Sequence, residues 1–378
     1  MSAHLSADLL AALPASLGTA LPAALVSGTA ADATVAGISD GLVFSAMAVY
    51  AVSLVAYAVD LVGGRRGTPA KAQGGDVLVD AVTRSDGSAA AGSTAAAGST
   101  TAAGSSTQPV ATQPVGPRDV GPGAGTGRRR AAGIGTSLFA LATALHLGGV
   151  VARGVSVQRV PWSDAYEFAV SGAVVVSLVF LVLLRGGDRW RWLGLFVVVP
   201  VLLTLMVATS FFYTQASALS PALQSGWLVV HVSIAFLASA LLTIGFSLAV
   251  VQLVQHRQEA VVAGGGAASP LLARVPGSRQ LEQTSFQLHA VAFVLWTFTV
   301  VAGAIWAADA WGRYWGWDPK EVWSFVIWVV YAAYLHARST AGWAGPRSAW
   351  IAVLGFACLL FNFLGVNYLF VGNHAYAG

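Results

Sequence analysis

Long apolar runs recur along most of this 378-residue chain, and they constrain its fold more than any other feature. Each run reaches or approaches the ~20 residues that a helix needs to cross the hydrocarbon core of a bilayer. Eight are expected as spans: 41–62, 131–151, 167–184, 190–210, 226–254, 286–308, 322–337 and 349–371. The 322–337 run is short unless its Trp-rich N-terminal shoulder lies in the interface. Only 10% of residues are charged and 56% are hydrophobic, against the ~25% charge of a soluble domain. That excludes a water-soluble enzyme. The expected fold class is therefore an all-α polytopic membrane protein of about eight transmembrane helices.

Residues 1–40 carry no Lys or Arg, so no positively charged signal-peptide start is read there. Residues 63–130 hold the low-complexity stretch SAAAGSTAAAGSTTAAGSSTQP. Such a composition cannot offset its ordering entropy by burial, so disorder is expected for this linker. Lys and Arg alternate sharply between loops. One set (63–130, 185–191, 255–282, 338–347) holds 16 and the opposite set 4, namely Arg153, Arg159, Arg313 and Lys320. The positive-inside rule then puts the linker in the cytoplasm and both termini outside the plasma (inner) membrane. The positive net charge of +4 belongs to these loops and implies no nucleic-acid partner. The single cysteine, Cys358, excludes a disulfide framework, a CxxC redox site and a thiolate zinc site.

The outer loop 309–323 reads DAWGRYWGWDPKEVW, with Trp311, Trp315, Trp317, Trp323 and Tyr314 within thirteen residues. An interfacial aromatic belt is one reading. An aromatic shelf for a large flat apolar ligand is the other, and the density of rings with Gly spacers favours it. Pro319 suits a first helical turn, and Asp318 before it suits an N-cap. Asp318 therefore has a structural task under either reading.

The seven histidines are His4, His146, His231, His256, His289, His336 and His374. Ionisable residues inside spans are costly and are functional candidates by default. His231 lies roughly 8 Å below the outer end of its span at 1.5 Å per residue. His374 follows the last span and is also outside. Two imidazoles and the aromatic loop thus share one membrane level. They read either as a bis-histidine iron site or as a helix-packing His231 with a solvated tail His374. His336 lies about 21 Å inward from Val322. His146 sits beyond mid-membrane toward the outside, His289 reads as interfacial on the cytoplasmic side, and His4 and His256 read as solvated.

WGRYWGWDPKEVWSFVIWVVYAAYLHAR resembles the tryptophan-rich WWD signature of haem-handling proteins of cytochrome c maturation. It is most similar to the CcsA/ResC branch of system II, also named CcsB in some bacteria. LQSGWLVVHVSIAF (223–236), YLHAR (334–338) and GVNYLFVGNHAY (365–376) extend the resemblance over roughly 131–378; residues 1–130 carry no motif. The resemblance implies haem b as ligand or substrate, with His231 and His374 as outer axial ligands. It implies the four tryptophans as the macrocycle's shelf, and Asp318 stands as the loop's candidate catalytic residue. It implies a second, transmembrane haem site at His336, whose partner ligand would come from a ResB-type (CcsB-type) membrane subunit. A snorkelling His336 beside Arg338 remains open, and the resemblance gives His146 no clear role.

PWSDAYEF (161–168) is similar to a family outer-loop segment, and its Glu167 either caps a helix or binds. Any of Arg153, Arg159, Arg313 and Lys320 could pair with haem propionates. The implied activity is haem passage to the outer face and covalent attachment to apocytochrome c CxxCH thiols, a holocytochrome c synthase or haem lyase acting within a complex. Reduced thiols would be supplied by a separate thioredoxin-like protein, since this chain has no CxxC. A b-type electron-transfer subunit, a system I-like haem handler and a small-solute transporter are the alternatives. The first would need histidines paired at both depths in one chain, and the last would show internal repeats.

Overall fold

The computed structural model describes residues 20–62, 123–215, 225–340 and 342–372. All regular structure among them is helical: α1 (Ala20–Val62), α2 (Gly123–Val157), α3 (Ala165–Leu184), α4 (Gly194–Phe211), α5 (Gly226–Ala263), α6 (Ser278–Trp311), α7 (Pro319–Ser339), α8 (Pro346–Leu360) and α9 (Val366–Leu369). A single π-turn, Phe361–Gly365, joins α8 to α9. From residue 125 of α2 onward, the described helices form one compact unit together with α1. The expected linker lies outside the described residues except at its end, where α2 already starts at Gly123. That helix absorbs Arg128, Arg129 and Arg130, residues the sequence reading had assigned to the linker.

Seven helices are long and apolar enough to cross a membrane, the seventh being α8, the π-turn and α9 taken together. The chain is thus an all-α polytopic membrane protein. The remaining expected span, α7, has 21 residues, or about 31 Å at 1.5 Å per residue. It falls below the apolarity of the other seven because it begins Pro-Lys-Glu and ends His-Ala-Arg-Ser.

Local chemistry sets the helix starts. Asp164 caps α3 by accepting from the Glu167 amide at 2.8 Å. Ser225 caps α5 by accepting from the Trp227 amide at 3.2 Å. Asp318 caps α7 in a complete capping box with Glu321, and Pro319 occupies the first turn. At the far end of α6, Gly312 takes a left-handed φ of 71°, which ends that helix.

Helix α1, which carries no motif, is nonetheless stitched into the bundle. Ser39 Oγ donates to the Gly149 carbonyl at 2.8 Å, and Ser53 Oγ to the Gly135 carbonyl at 2.9 Å. Tyr50 donates to Ser177 at 2.8 Å, and Tyr57 to Thr136 at 3.2 Å. Each such interhelical bond is worth only about 0.6 kcal/mol in a membrane. Together they fix the rotation of a helix whose apolar face alone would not. One apolar core fills the space among α1–α4 and the adjoining side of α5. A second fills α5–α8. A small third cluster, Leu228, Val232, Phe236 and Trp306, sits where α5 starts and α6 ends.

Candidate functional site

Leu228, Val232 and Trp306 of that third cluster line a cavity of about 150 Å³ at the end of the bundle where α3, α5 and α7 begin. Its walls combine Trp162 and Phe168 with His231, with Thr299, Gly303 and Trp306 from α6, and with Trp315 from the loop before α7. Lys320, Glu321 and Ser324 of α7, Asn362 and Asn367 of the π-turn and α9, and Asp164 at the start of α3 add polar groups to the lining. The volume is below the ~300–1,000 Å³ usual for a small-molecule site.

His231 is half-buried in this wall, and its orientation is determined. Nδ1 lies 2.9 Å from the Thr299 carbonyl. A carbonyl only accepts, so Nδ1 carries the hydrogen and the neutral ring keeps its lone pair on Nε2. That tautomer is the one a metal ligand needs, with a carbonyl behind it fixing the ring. Trp306 stacks alongside, with centroids 6.2 Å apart and planes 12° apart. Gly303 makes the position possible, because a Cβ there would come 2.8 Å from His231 Cε1.

The same helix pair holds a second imidazole in the same manner. His289 of α6 fits against Gly245 of α5, where a Cβ would come 2.6 Å from His289 Cε1. Expected at an interface, His289 is instead fully buried. Its Nδ1 donates to the Ser285 carbonyl at 2.7 Å, and Tyr331 and Tyr334 cover it at 5.3 and 5.1 Å between centroids. His146 is also fully buried, edge-on to Tyr50. His336 is exposed on α7 at the opposite end of the bundle from the cavity. His374 lies outside the described residues. Gly372, two positions before it, packs its backbone against the Asp318 carboxylate.

The four loop tryptophans separate. Trp315 lines the cavity. Trp311 packs edge-on against Trp306 at 4.8 Å. Trp323 packs on Phe361 at 4.2 Å. Trp317 is 75% exposed and edge-on to Trp315 at 5.9 Å. Trp317 also adopts φ 60°, a left-handed conformation that costs about 1–2 kcal/mol for a non-glycine. Glu321 holds the turn there, since Oε2 accepts from the Gly316 amide at 2.8 Å and the Asp318 amide at 3.1 Å. Asp318 is buried, caps α7 and accepts from the Lys320 amide at 3.1 Å. Asp318 and Glu321 together fix the loop onto α7.

Glu167 is neither exposed nor facing the cavity. It is buried and bonded to Arg153 at 3.1 Å, to Arg159 at 2.6 Å and to the Ser163 amide at 3.0 Å. Both arginines are thus committed to an internal clamp. Arg313 lies 3.6 Å from Glu321. Lys320 is the one Lys or Arg among the described residues that line the cavity.

Sequence reading passed over Trp296, Thr299, Gly303 and Trp306. Their spacing of three, four and three residues places them on one face of α6, and that stripe was visible in the sequence. Asn362 and Asn367 carried no such signal, because their alignment depends on the π-turn.

Against this geometry, the sequence model of the family described as "Cytochrome C assembly protein" matches residues 162–374. The chain belongs to this family. The match takes in α3 to α9, the cavity and the aromatic loop. Among curated members is the cytochrome c biogenesis protein CcsA of Synechococcus sp. (strain JA-3-3Ab), 34% identical over 279 residues. That alignment covers 60% of this chain and 80% of the relative. The CcsA protein of Synechococcus sp. (strain CC9605) is 39% identical over 179 residues, covering 43% and 59%. Among solved structures, the cytochrome c haem lyase CcmF superposes with a TM-score of 0.55 at 15% identity, over 90% of this chain and 48% of CcmF. That likeness concerns the fold. As a member of the cytochrome c assembly family, this chain has its place in cytochrome c biogenesis.

Proposed function

We propose that the chain presents haem at the cavity end of the bundle and holds it while apocytochrome c thiols add to its vinyl groups. One observation carries the reading: His231, with Nδ1–H fixed on the Thr299 carbonyl, lines an aromatic cavity beneath the loop that bears the family signature. Imidazole, aromatic walls and a cation make a donor set that suits a haem edge. His374 is the proposed second axial ligand. In the addition, each thiol sulfur bonds to the inner vinyl carbon and the thiol hydrogen goes to the terminal carbon. No electrons are exchanged with this chain. What the chain contributes is orientation, since holding the reactants together removes much of the entropic barrier.

The 16-to-4 split of basic residues supports a cavity that faces outward across the inner membrane, with both termini outside. The exposed position of His336 supports a ligand shared with another membrane chain, for which a ResB-type subunit is the proposed source. A thioredoxin-like protein would keep the apocytochrome thiols reduced. The test is an absorption spectrum of the purified full-length protein with pyridine haemochrome quantitation. Co-purified haem b that falls in His231→Ala, by most of the share held in the cavity, is expected. A wild-type protein that neither carries nor takes up haem would overturn the proposal. A single cysteine at Ser99, in a Cys358→Ala background, should resist an impermeant thiol reagent in intact cells. Labelling there would reverse the topology.

A further inference from the structure

The cavity has a polar wall that the iron reading leaves unused, and its spare atoms are acceptors. Glu321 of α7 and Asn362 of the π-turn both line the cavity. Asn362 is 6% exposed and Glu321 9%. Glu321 Oε1 and Asn362 Oδ1 have no hydrogen-bond partner among the described residues. Arg313 approaches Glu321 Oε1 at 3.6 Å, an ion-pair distance too long for a hydrogen bond.

The surroundings fix both groups as acceptors. Glu321 Oε2 is taken by the Gly316 and Asp318 amides, which leaves Oε1 spare. Asn362 Nδ2 donates to Ser324 Oγ at 3.2 Å, and Ser324 gives its own hydrogen to the Lys320 carbonyl at 2.7 Å. A turned-over amide would set Oδ1 against an oxygen with no hydrogen left to offer, so Oδ1 stays unbonded. Lys320 does not fill the gap, since it donates to Asn367 at 2.8 Å and lies beside the Asp318 carboxylate. Asn362 sits in the π-turn, and single turns of this kind concentrate at functional sites.

Buried polar atoms are nearly always bonded, and each exception calls for a partner. The partner here has to be a donor. Haem offers none, because its propionates are ionised at neutral pH and its pyrrole nitrogens hold the iron. The other substrate of the proposed reaction does. A cysteine thiol is small, carries one weak donor, and its sulfur is favoured against aromatic rings. Trp162, Trp306 and Trp315 supply such rings in the same lining. A cationic donor fits less well, because the Lys320 ammonium lines the same space.

We propose that Glu321 and Asn362 form a seat for a cysteine thiol of the apocytochrome segment, with the S–H directed at their spare oxygens. The proposal rests on the haem reading and deepens it: His231 of α5 holds the iron, while the wall of α7 and the π-turn holds the sulfur. The addition stays balanced as before, with sulfur bonding to the inner vinyl carbon and its hydrogen going to the terminal one.

The experiment compares a labelled, reduced CxxCH peptide with an analogue that has aminobutyrate at both cysteines, a methyl group in place of each S–H. Binding is read by fluorescence anisotropy on the full-length protein in detergent, loaded with mesohaem, whose ethyl groups cannot take a thiol. Wild-type protein is expected to bind the thiol peptide about 3- to 10-fold more tightly, the range of one ordinary hydrogen bond. Glu321→Gln can still accept from the two loop amides but turns an NH2 group toward the thiol, and Asn362→Leu removes the amide. Each should lose most of the preference by weakening the thiol peptide alone, with bound mesohaem unchanged. Equal affinity of the wild-type protein for both peptides, or for neither, would overturn the seat, leave its acceptors to water and leave the haem reading standing. A preference that survives in both variants would mean that the thiol binds elsewhere, the iron included, and would also overturn the seat. Failure of the wild-type protein to take up mesohaem or haem would overturn both readings. The wild-type comparison needs no variant, so poor folding of a variant cannot mask an absent preference.

Discussion

Helices α5 and α6 hold two histidines in matching notches, and the two notches differ in everything around them. His231 of α5 rests on Gly303 of α6, and His289 of α6 rests on Gly245 of α5. The two levels are fourteen residues apart on each helix, about 21 Å along the axis. At both, glycine lets an imidazole lie against the opposing backbone, and an aromatic ring stacks on it at a low angle. At the Gly245 level α7 and α8 close in, and Tyr331 and Tyr334 fill the remaining space. At the Gly303 level the helices end, and the loop of Trp315 and the π-turn leave a cavity instead. The ring bonds differ too. His289 bonds within its own helix, whereas His231 bonds across to the facing one. A histidine in a span is thus not a site by itself. The geometry of the helix ends decides whether it meets a ligand or a tyrosine.

The comparison breaks most visibly when each imidazole is removed. His231→Ala should abolish cytochrome c maturation while changing thermal stability little, and added imidazole should restore part of the yield. His289→Ala should empty a fully packed site and lower stability by about 2–4 kcal/mol, while the protein that remains folded still matures cytochrome. Yields of covalent cytochrome c and melting curves on the same preparations check both. Normal maturation in His231→Ala would end the ligand assignment.

Filling the notches is a smaller disturbance. Gly303→Ala should displace the His231 ring and lower maturation several-fold. Gly245→Ala, a slightly tighter fit, should cost about 1–3 kcal/mol of stability and leave maturation per folded molecule unchanged. Identical behaviour of the two variants would mean that the Gly303 notch serves packing alone.

The aromatic loop should be more tolerant. Asp318→Ala removes a helix cap worth about 1 kcal/mol and frees the loop, so attachment should fall more than bound haem does. Trp317→Phe, at a ring 75% exposed, should have the least effect of all. A larger loss from Trp317→Phe than from Asp318→Ala, in haem content and covalent yield together, would show that the ring reads the macrocycle directly.

Much of this was legible in the sequence because hydropathy and capping are local. The spans followed from apolar run length, and Asp-Pro-Lys-Glu foretold the start of α7. The shortness of the 322–337 run was also visible, and α7 forms regardless because its capping box and its neighbours support it. What stayed hidden depends on which helices meet. Helices α5 and α7 bury His289, and its place near the start of a span gave no sign of that. Arg153 and Arg159 looked free to hold propionates, but Glu167 reaches both once α2 and α3 turn back on each other. Three of the four loop tryptophans pack away from the cavity or into solvent, and Trp162, Trp296 and Trp306 from other segments line it. Helix α1 had no motif because small polar side chains at scattered positions attach it.

The central claim is that one notch of the α5–α6 pair serves haem and the other serves only packing. The most direct measurement is haem bound per chain, by pyridine haemochrome, in purified wild-type, His231→Ala and His289→Ala protein. The account predicts that His231→Ala loses most of the haem of the cavity and His289→Ala retains the wild-type content. Equal retention in both, or loss in His289→Ala with retention in His231→Ala, would contradict it.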